Sequence, residues 1–469
     1  MSGNIGSFLI VGILLGIFVK YMTQKNGAIK LNRKNILFLK LFSFYVVINL
    51  FLGIGYFLKI GEREISYSDV VFFALFVVAI SILWKKPVYS KIYLFLIVFV
   101  VSCLVSVCLN FLLDYNEYGI PYGQSWDSYF YGRTSFSLLK PSKNGLFHLI
   151  KIIMTFTVVL TFLLCIDKNS LKEFLKTVKF FSCIIIFLGF VEFIFKNLLH
   201  SSALNDFYAF VFGVGHSTKK GLGAYSNGIY ATIGLRREQA DFSSTISIAG
   251  ILNLFLFSLD GKKSSLSVSL LCIVESIMSI AFTSLLYGGL YFVFLFIVVW
   301  QKNTKTKIVL SISALLLLSV GTVLVIKSSY FDRIKNSFKI LFKFDETGNY
   351  DIKSENIRLY SILYNLKIWL RHPLFGIGLG ASYSHGGLSS ALVSIGIVGF
   401  SLYWITINTL FKNVLKRAIP VIPFLLMNVV YFFRGGIDYY YNMPMMTLFI
   451  CYCFAVGKQI NNKCYKAKG

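Results

Sequence analysis

The residues best suited to chemistry in this chain cluster in three short stretches. The first is RHPLFGIGLGASYSHGG, residues 371 to 387, which sets Arg371, a run of glycines and His385 directly ahead of an apolar segment. The second is GLRREQADF, residues 234 to 242, with Arg236, Arg237, Glu238 and Asp241 just before another apolar segment. The third is the segment NIRLYSILYNLKIWLRHP, residues 356 to 373, which contributes Arg358. Arg434, followed by GGIDYYY, adds a further cation near the end of a span. Guanidinium groups stay charged at any physiological pH and grip phosphate oxygens in pairs, so this set suits a phosphorylated ligand. A glycine run ahead of a helix start brings backbone N–H groups close to an anion. His385, Glu238 and Asp241 are the candidates for taking a proton. For each cation the plain alternative is an interfacial anchor, and for His385 it is a hydrogen-bonded histidine at the membrane surface.

What positions these residues is a bundle of membrane helices. The chain has 469 residues, 56% of them hydrophobic and only 14% charged, which is more apolar surface than a soluble core hides. Runs such as 92 to 113, 180 to 199 and 308 to 326 have the length needed to cross about 30 Å of hydrocarbon. The alternation expected of a transmembrane barrel is absent from the sequence. Segmentation by apolar length predicts spans at 5–22, 36–58, 68–84, 92–113, 146–166, 180–199, 243–259, 265–281, 284–300, 308–326, 387–410, 419–434 and 439–457. The expected fold is thus all-α, with 12 to 13 transmembrane helices in a single polytopic domain over residues 1–469.

The excess of 46 Lys and Arg over 20 Asp and Glu would suggest nucleic acid in a soluble protein. Here the basic residues of 25–35, 85–91, 167–179, 301–307, 412–417 and the tail from Lys458 lie in short loops, and they mark the cytoplasmic side. No nucleic-acid partner is expected. The same walk puts three long loops on the outer face, at about 114–145, 200–241 and 327–386, and the reactive stretches fall in or beside the last two. In 356–373, Leu359, Ile362, Leu363, Leu366, Trp369 and Leu370 make an apolar face. Arg358, Ser361 and Asn365 lie on a polar one, the pattern of a helix lying in the interface. The glycines 376–380 are expected to form a flexible turn, and AFTSLLYGG, residues 281 to 289, a tight turn between two spans. Within the spans, Lys151, Glu192 and Glu275 are the costly ionisable groups; read as three scattered charges, they trace no relay. The cysteines lie mostly in apolar runs, and neither a disulfide nor a metal site is expected of them.

Taken together, HPLFGIGLG, then His385, then Gly396 to Phe400 opening a span resembles the bacterial O-antigen polymerase and ligase superfamily, and so do Arg358 ahead of it and Arg237 five residues before Phe242. The resemblance covers roughly the C-terminal half. It implies a metal-independent, cofactor-free, inverting glycosyltransferase of the cytoplasmic membrane, a bundle of the GT-C kind with its active face outward. Its substrate would be an oligosaccharide carried on undecaprenyl diphosphate among membrane lipids, with a chain-length regulator as a possible protein partner. Arg237 and Arg358 would clamp the diphosphate, with Arg236, Arg371 and Arg434 assisting, and His385, Glu238 or Asp241 would act as base. Ligases of this group usually follow the histidine with asparagine, whereas this chain has Gly386, which favours polymerase over ligase. A lipid-linked sugar transporter is the alternative from another class; it would need charged or broken helices near the midplane with repeat symmetry.

Overall fold

A computed structural model describes residues 33–51, 56–60, 63–84, 90–113, 119–121, 136–138, 144–165, 168–212, 225–226, 229–234, 239–279, 282–300, 308, 312, 354–382 and 384–415. In chain order the helices are α1 (Arg33–Phe51), α2 (Tyr67–Leu83), α3 (Ser90–Leu112), α4 (Asn144–Cys165), α5 (Lys168–Asn197) and α6 (Ala203–Phe212). They continue with α7 (Gln239–Asp260), α8 (Lys263–Met278), α9 (Phe282–Trp300), α10 (Ser354–Arg371) and α11 (Gly387–Leu415). Three small antiparallel hairpins accompany them: β1 (Tyr56–Ile60) with β2 (Arg63–Ser66), β3 (Gly119–Pro121) with β4 (Phe136–Leu138), and β5 (Tyr225–Ser226) with β6 (Ile229–Tyr230). Among the described residues, five stretches are long and apolar enough to cross a membrane: Leu94–Leu112, Gly145–Phe162, Asn169–Asn197, Asp241–Asp260 and Gly387–Thr406. The architecture is that of a helical membrane protein. The predicted spans 5–22, 419–434 and 439–457, and all of 308–326 but two residues, lie outside the described residues.

The chain packs as two units. In the first, α7 runs against α8, α9 and α5, and α1 packs on α2 and α5. Small and hydroxylated residues let these helices approach closely. The Ser269 hydroxyl bonds the Gly250 carbonyl at 2.7 Å and the Tyr291 hydroxyl at 2.8 Å. A Cβ on Gly250 would meet the Cys272 Cβ at 3.2 Å. Nearby, Asn253 donates to Ser182 Oγ at 3.0 Å, and Ser243 and Ser247 both bond Ser276 Oγ. In the second unit α3 lies along α11, α10 packs on α11, and Phe99, Phe156 and Tyr403 join α3, α4 and α11 with ring centroids 5.7 to 6.2 Å apart.

Three boundaries differ from the sequence expectation. Of the basic stretch 167–179, Lys168 to Lys179 is not a loop: it is the first two-fifths of α5, because Leu171, Phe174, Leu175 and Val178 fall at helical spacing and are all buried. The predicted span 36–58 stops as a helix at Phe51, and residues from Tyr56 turn into the β1–β2 hairpin, where Lys59 pairs with Glu64 in the ladder. The turn expected at 281–289 is instead shorter and earlier. α8 is capped at Ser279, and α9 already begins at Phe282, so Gly288 and Gly289 are interior helix positions, each with nothing within 4 Å of a would-be Cβ.

The packing of α10 adds detail that periodicity alone does not give. Its apolar stripe is packed unevenly: Ile362 is buried, Leu359, Leu363, Leu366 and Trp369 are half-buried, and Leu370 is 68% exposed. The side carrying Ser361 and Asn365, together with Ile357, Tyr360 and Ile368, is the buried one. Lipid offers leucine as good an environment as a protein core does, while Ser and Asn need partners inside the bundle. The amphipathic pattern was legible; that Ser361 and Asn365 are packed inward beside Ile357, Tyr360, Ile362 and Ile368 was not.

Candidate functional site

The glycine stretch is built into the second unit as scaffold. Beyond α10 the chain folds back along α11, where Gly396 adopts φ 62° and interrupts the helix. The backbone groups freed at that break are taken up by the glycine segment. Ile377 N–H donates to Val393 O at 2.8 Å and Gly378 N–H to Ser394 O at 3.2 Å, while Ile397 N–H donates to Pro373 O at 2.8 Å and Val398 N–H to Leu374 O at 3.1 Å. A broken helix in a membrane bundle is tolerable only when its free groups find partners in this way. Asn110 of α3 donates to Ile377 O at 2.7 Å, and Ser106, one turn earlier, donates to Phe375 O and Ser394 O.

The glycines are required by space and by torsion. Gly376, Gly378 and Gly380 all have positive φ. A Cβ at Gly376 would strike the Val393 carbonyl, one at Gly378 the Asn110 side chain, and one at Gly380 would lie 2.6 Å from the His148 ring. The expected flexible turn is therefore a buried, fully packed segment. Two of the N–H groups that were candidates for an anion, those of Ile377 and Gly378, are spent on α11. Close backbone approach does occur, but the partner is the chain itself.

This scaffold brings two of the predicted site residues together. Ser361 Oγ donates to Arg358 O at 2.8 Å and accepts the His385 N–H at 3.1 Å, so His385 sits one helical turn from Arg358. Asn365, a turn further along α10, accepts from Ser382 Oγ at 2.7 Å and donates to Ser361 O at 2.8 Å. Ser384 Oγ accepts from Gly386 N–H at 3.0 Å, and Ser390 Oγ accepts from Ser384 N–H at 3.1 Å, closing the entry to α11. Arg358 is half-buried and makes no ion pair among the described residues. Arg371 is exposed at the other end of α10, 13 residues on, which is about 20 Å along the axis. It therefore stands away from the Arg358–His385 pairing.

The second reactive stretch belongs to the first unit. Asp241 is half-buried in the first turn of α7, where its carbonyl accepts from Ser244 and Thr245. Arg236, Arg237, Glu238 and Arg434 lie outside the described residues. The chain leading to them is held firmly. On α5, Glu192 and Lys196 are 0% and 1% exposed and pair at 2.7 Å. Glu192 also accepts Ile233 N–H at 3.0 Å and Gly234 N–H at 2.7 Å, Lys196 donates to Ala231 O at 2.8 Å, and Asn197 bonds both backbone groups of Tyr230. Gly234, at φ 57°, lies flat against the Phe242 ring.

Sequence reasoning missed this support. Glu192 and Lys196 stand four apart in one span, a spacing that could have been read as an ion pair. Glu192 and Glu275 are also not scattered: the Glu275 carboxyl lies against Gly189, one turn before Glu192, close enough for the two charges to interact. In the second unit Ser106 and Asn110 were likewise legible as one polar face within the run 92–113. Comparison with protein-family models, with curated proteins and with solved structures gives no match for this chain.

Proposed function

We propose that this chain is a multi-pass glycosyltransferase of the cytoplasmic membrane that polymerises a polysaccharide. It would move a glycan from undecaprenyl diphosphate onto the next lipid-linked repeat unit at the outer face, with inversion and without a metal. The observation that carries the reading is that Ser361 Oγ ties the backbone of Arg358 to that of His385, which puts both residues in one region of the second unit, and that Arg358 makes no ion pair among the described residues. A diphosphate leaving group needs fixed positive charge where its own charge develops, and an acceptor hydroxyl needs a base within hydrogen-bond reach. In the second unit Arg358 grips the diphosphate, Arg371 and Arg434 add positive potential, and His385 takes the proton; in the first unit Arg237, with Arg236, and Glu238 or Asp241 are the candidates for the same roles. The packed glycine segment keeps the Arg358 to His385 spacing fixed.

The test is elongation by purified protein in detergent given lipid-linked repeat units. Wild type should produce a ladder of longer products. Arg358→Ala and Arg237→Ala should each lower elongation by about 100- to 1000-fold, at unchanged protein level in the membrane. The Lys variants should recover little, because a lysine lacks the paired geometry. Full activity in both alanine variants overturns the mechanism. Products transferred to a different lipid or protein acceptor without a ladder would make the chain a ligase, and no glycan transfer at all would favour a transporter.

A further inference from the structure

The register of α3 against α11 measures how deep the glycine segment reaches. The two helices run antiparallel and touch at three levels. Thr406 Oγ1 donates to Phe95 O at 3.2 Å, the Tyr403 and Phe99 rings lie 5.7 Å apart, and Ser106 donates to Ser394 O. Val398 therefore stands level with the α3 stretch between Phe99 and Ser106, and the middle of the Leu94–Leu112 span falls in that stretch. Val398 is also the residue whose N–H donates to Leu374 O, beside the bond from Ile397 N–H to Pro373 O. Pro373 and Leu374 are thus held halfway along a membrane-spanning helix. The rise of α11 from Gly387 to Val398 agrees, at about 16 Å against about 30 Å of hydrocarbon.

From this turning point the chain goes back the way it came. On the returning limb Ile377 O accepts from Asn110, one turn nearer the end of α3, and Gly380 packs on His148 near the start of α4. α10 is the entering limb, and the two limbs are joined rung by rung. Ser361 meets His385, Asn365 meets Ser382, and Ile368 shares one buried cluster with Ile377 and Ala381. Both limbs end where α11 begins, since His385 and Gly386 lead directly into Gly387. Non-helical backbone at membrane depth requires protein partners. The N–H groups of Gly376, Ile377 and Gly378 have them, on His372, Val393 and Ser394. Leu370 and Leu374, at the turn, are both largely exposed, which suits acyl chains and not water. Arg371 is exposed beside them, and a cation at that depth must extend its side chain toward polar surroundings.

We propose that residues 354–386 form a re-entrant hairpin. It enters the bilayer at the end of the second unit where α11 begins, reaches the middle, and returns, with its Leu370–Leu374 turn seated among acyl chains. Such a hairpin replaces the helix lying along the membrane surface that periodicity predicts, and it is independent of the transferase reading.

The experiment uses the full chain in phospholipid vesicles. Leu374→Cys at the turn, Leu104→Cys at the middle of α3 and Leu113→Cys just past its end are compared one at a time; all three positions are exposed. A membrane-impermeant maleimide is added, and peptide mass spectrometry reads each site separately from the native cysteines. Leu113→Cys should react readily. Leu374→Cys should react at least tenfold more slowly, at the rate of Leu104→Cys, and all three should react alike once the protein is unfolded in dodecyl sulfate. A second measurement needs no variant: a phospholipid carrying a photoactivated diazirine midway along its acyl chain should crosslink to residues 370–374 of wild type, and one carrying it in the headgroup should not. Reaction of Leu374→Cys as fast as that of Leu113→Cys overturns the hairpin. Crosslinking by the headgroup probe alone does so too, because the helix then lies in the interface. Slow reaction without any acyl-chain crosslink also overturns it, since protein and not lipid would then cover the turn.

Discussion

The two arginine-bearing regions are held in place by opposite means. The segment Tyr230 to Gly234, leading toward Arg236 and Arg237, is fixed by a buried ion pair whose carboxylate accepts two backbone N–H groups. The segment Pro373 to Ala381, leading toward His385, is fixed by neutral contacts: backbone bonds to a broken helix, two α3 side chains and glycines that leave no spare volume. The first arrangement stands or falls on charge balance, the second on shape. Both fix a chain segment at the end of a helix, so a membrane bundle has more than one way to hold such a segment in place.

That contrast predicts how each region breaks. The largest effect should come from Lys196→Met, which leaves Glu192 buried without its counter-charge; about 3–5 kcal/mol of stability should be lost, measured as a fall in the midpoint of unfolding in detergent. Loss of under 1 kcal/mol would mean that the two N–H donors alone satisfy Glu192. Next comes Gly396→Ala, where the Cβ strikes the Leu374 carbonyl and the residue must hold a positive φ; a cost of about 1–3 kcal/mol is expected. Smallest is Gly289→Ala in α9, where nothing lies within 4 Å of the added Cβ: it should be neutral or stabilising by about 0.5–1 kcal/mol. If Gly396→Ala and Gly289→Ala shift the midpoint alike, shape is not what holds the glycine segment.

Much of this was legible from residue type and spacing. The spans of α3, α4, α7 and α11 and the amphipathic segment that became α10 follow from apolar length and helical periodicity. The errors share a cause. Lys168 to Lys179 looked like a loop because charge was counted before periodicity, although its buried face repeats as a helix does. The glycines 376 to 380 looked mobile because a glycine's freedom is visible in sequence and the atoms that remove it are not.

By itself, then, the sequence determined that this chain is a helical membrane protein and where the long apolar helices among the described residues run, because these depend on local composition and on the 3.6-residue repeat. Tertiary structure alone decided which face of α10 turns inward, that Glu192 and Lys196 hold the Tyr230–Gly234 segment, and that the break at Gly396 is filled by residues about 20 positions earlier in the chain. These depend on contacts between segments distant in sequence, and on a solvent that rewards polar groups for turning toward one another.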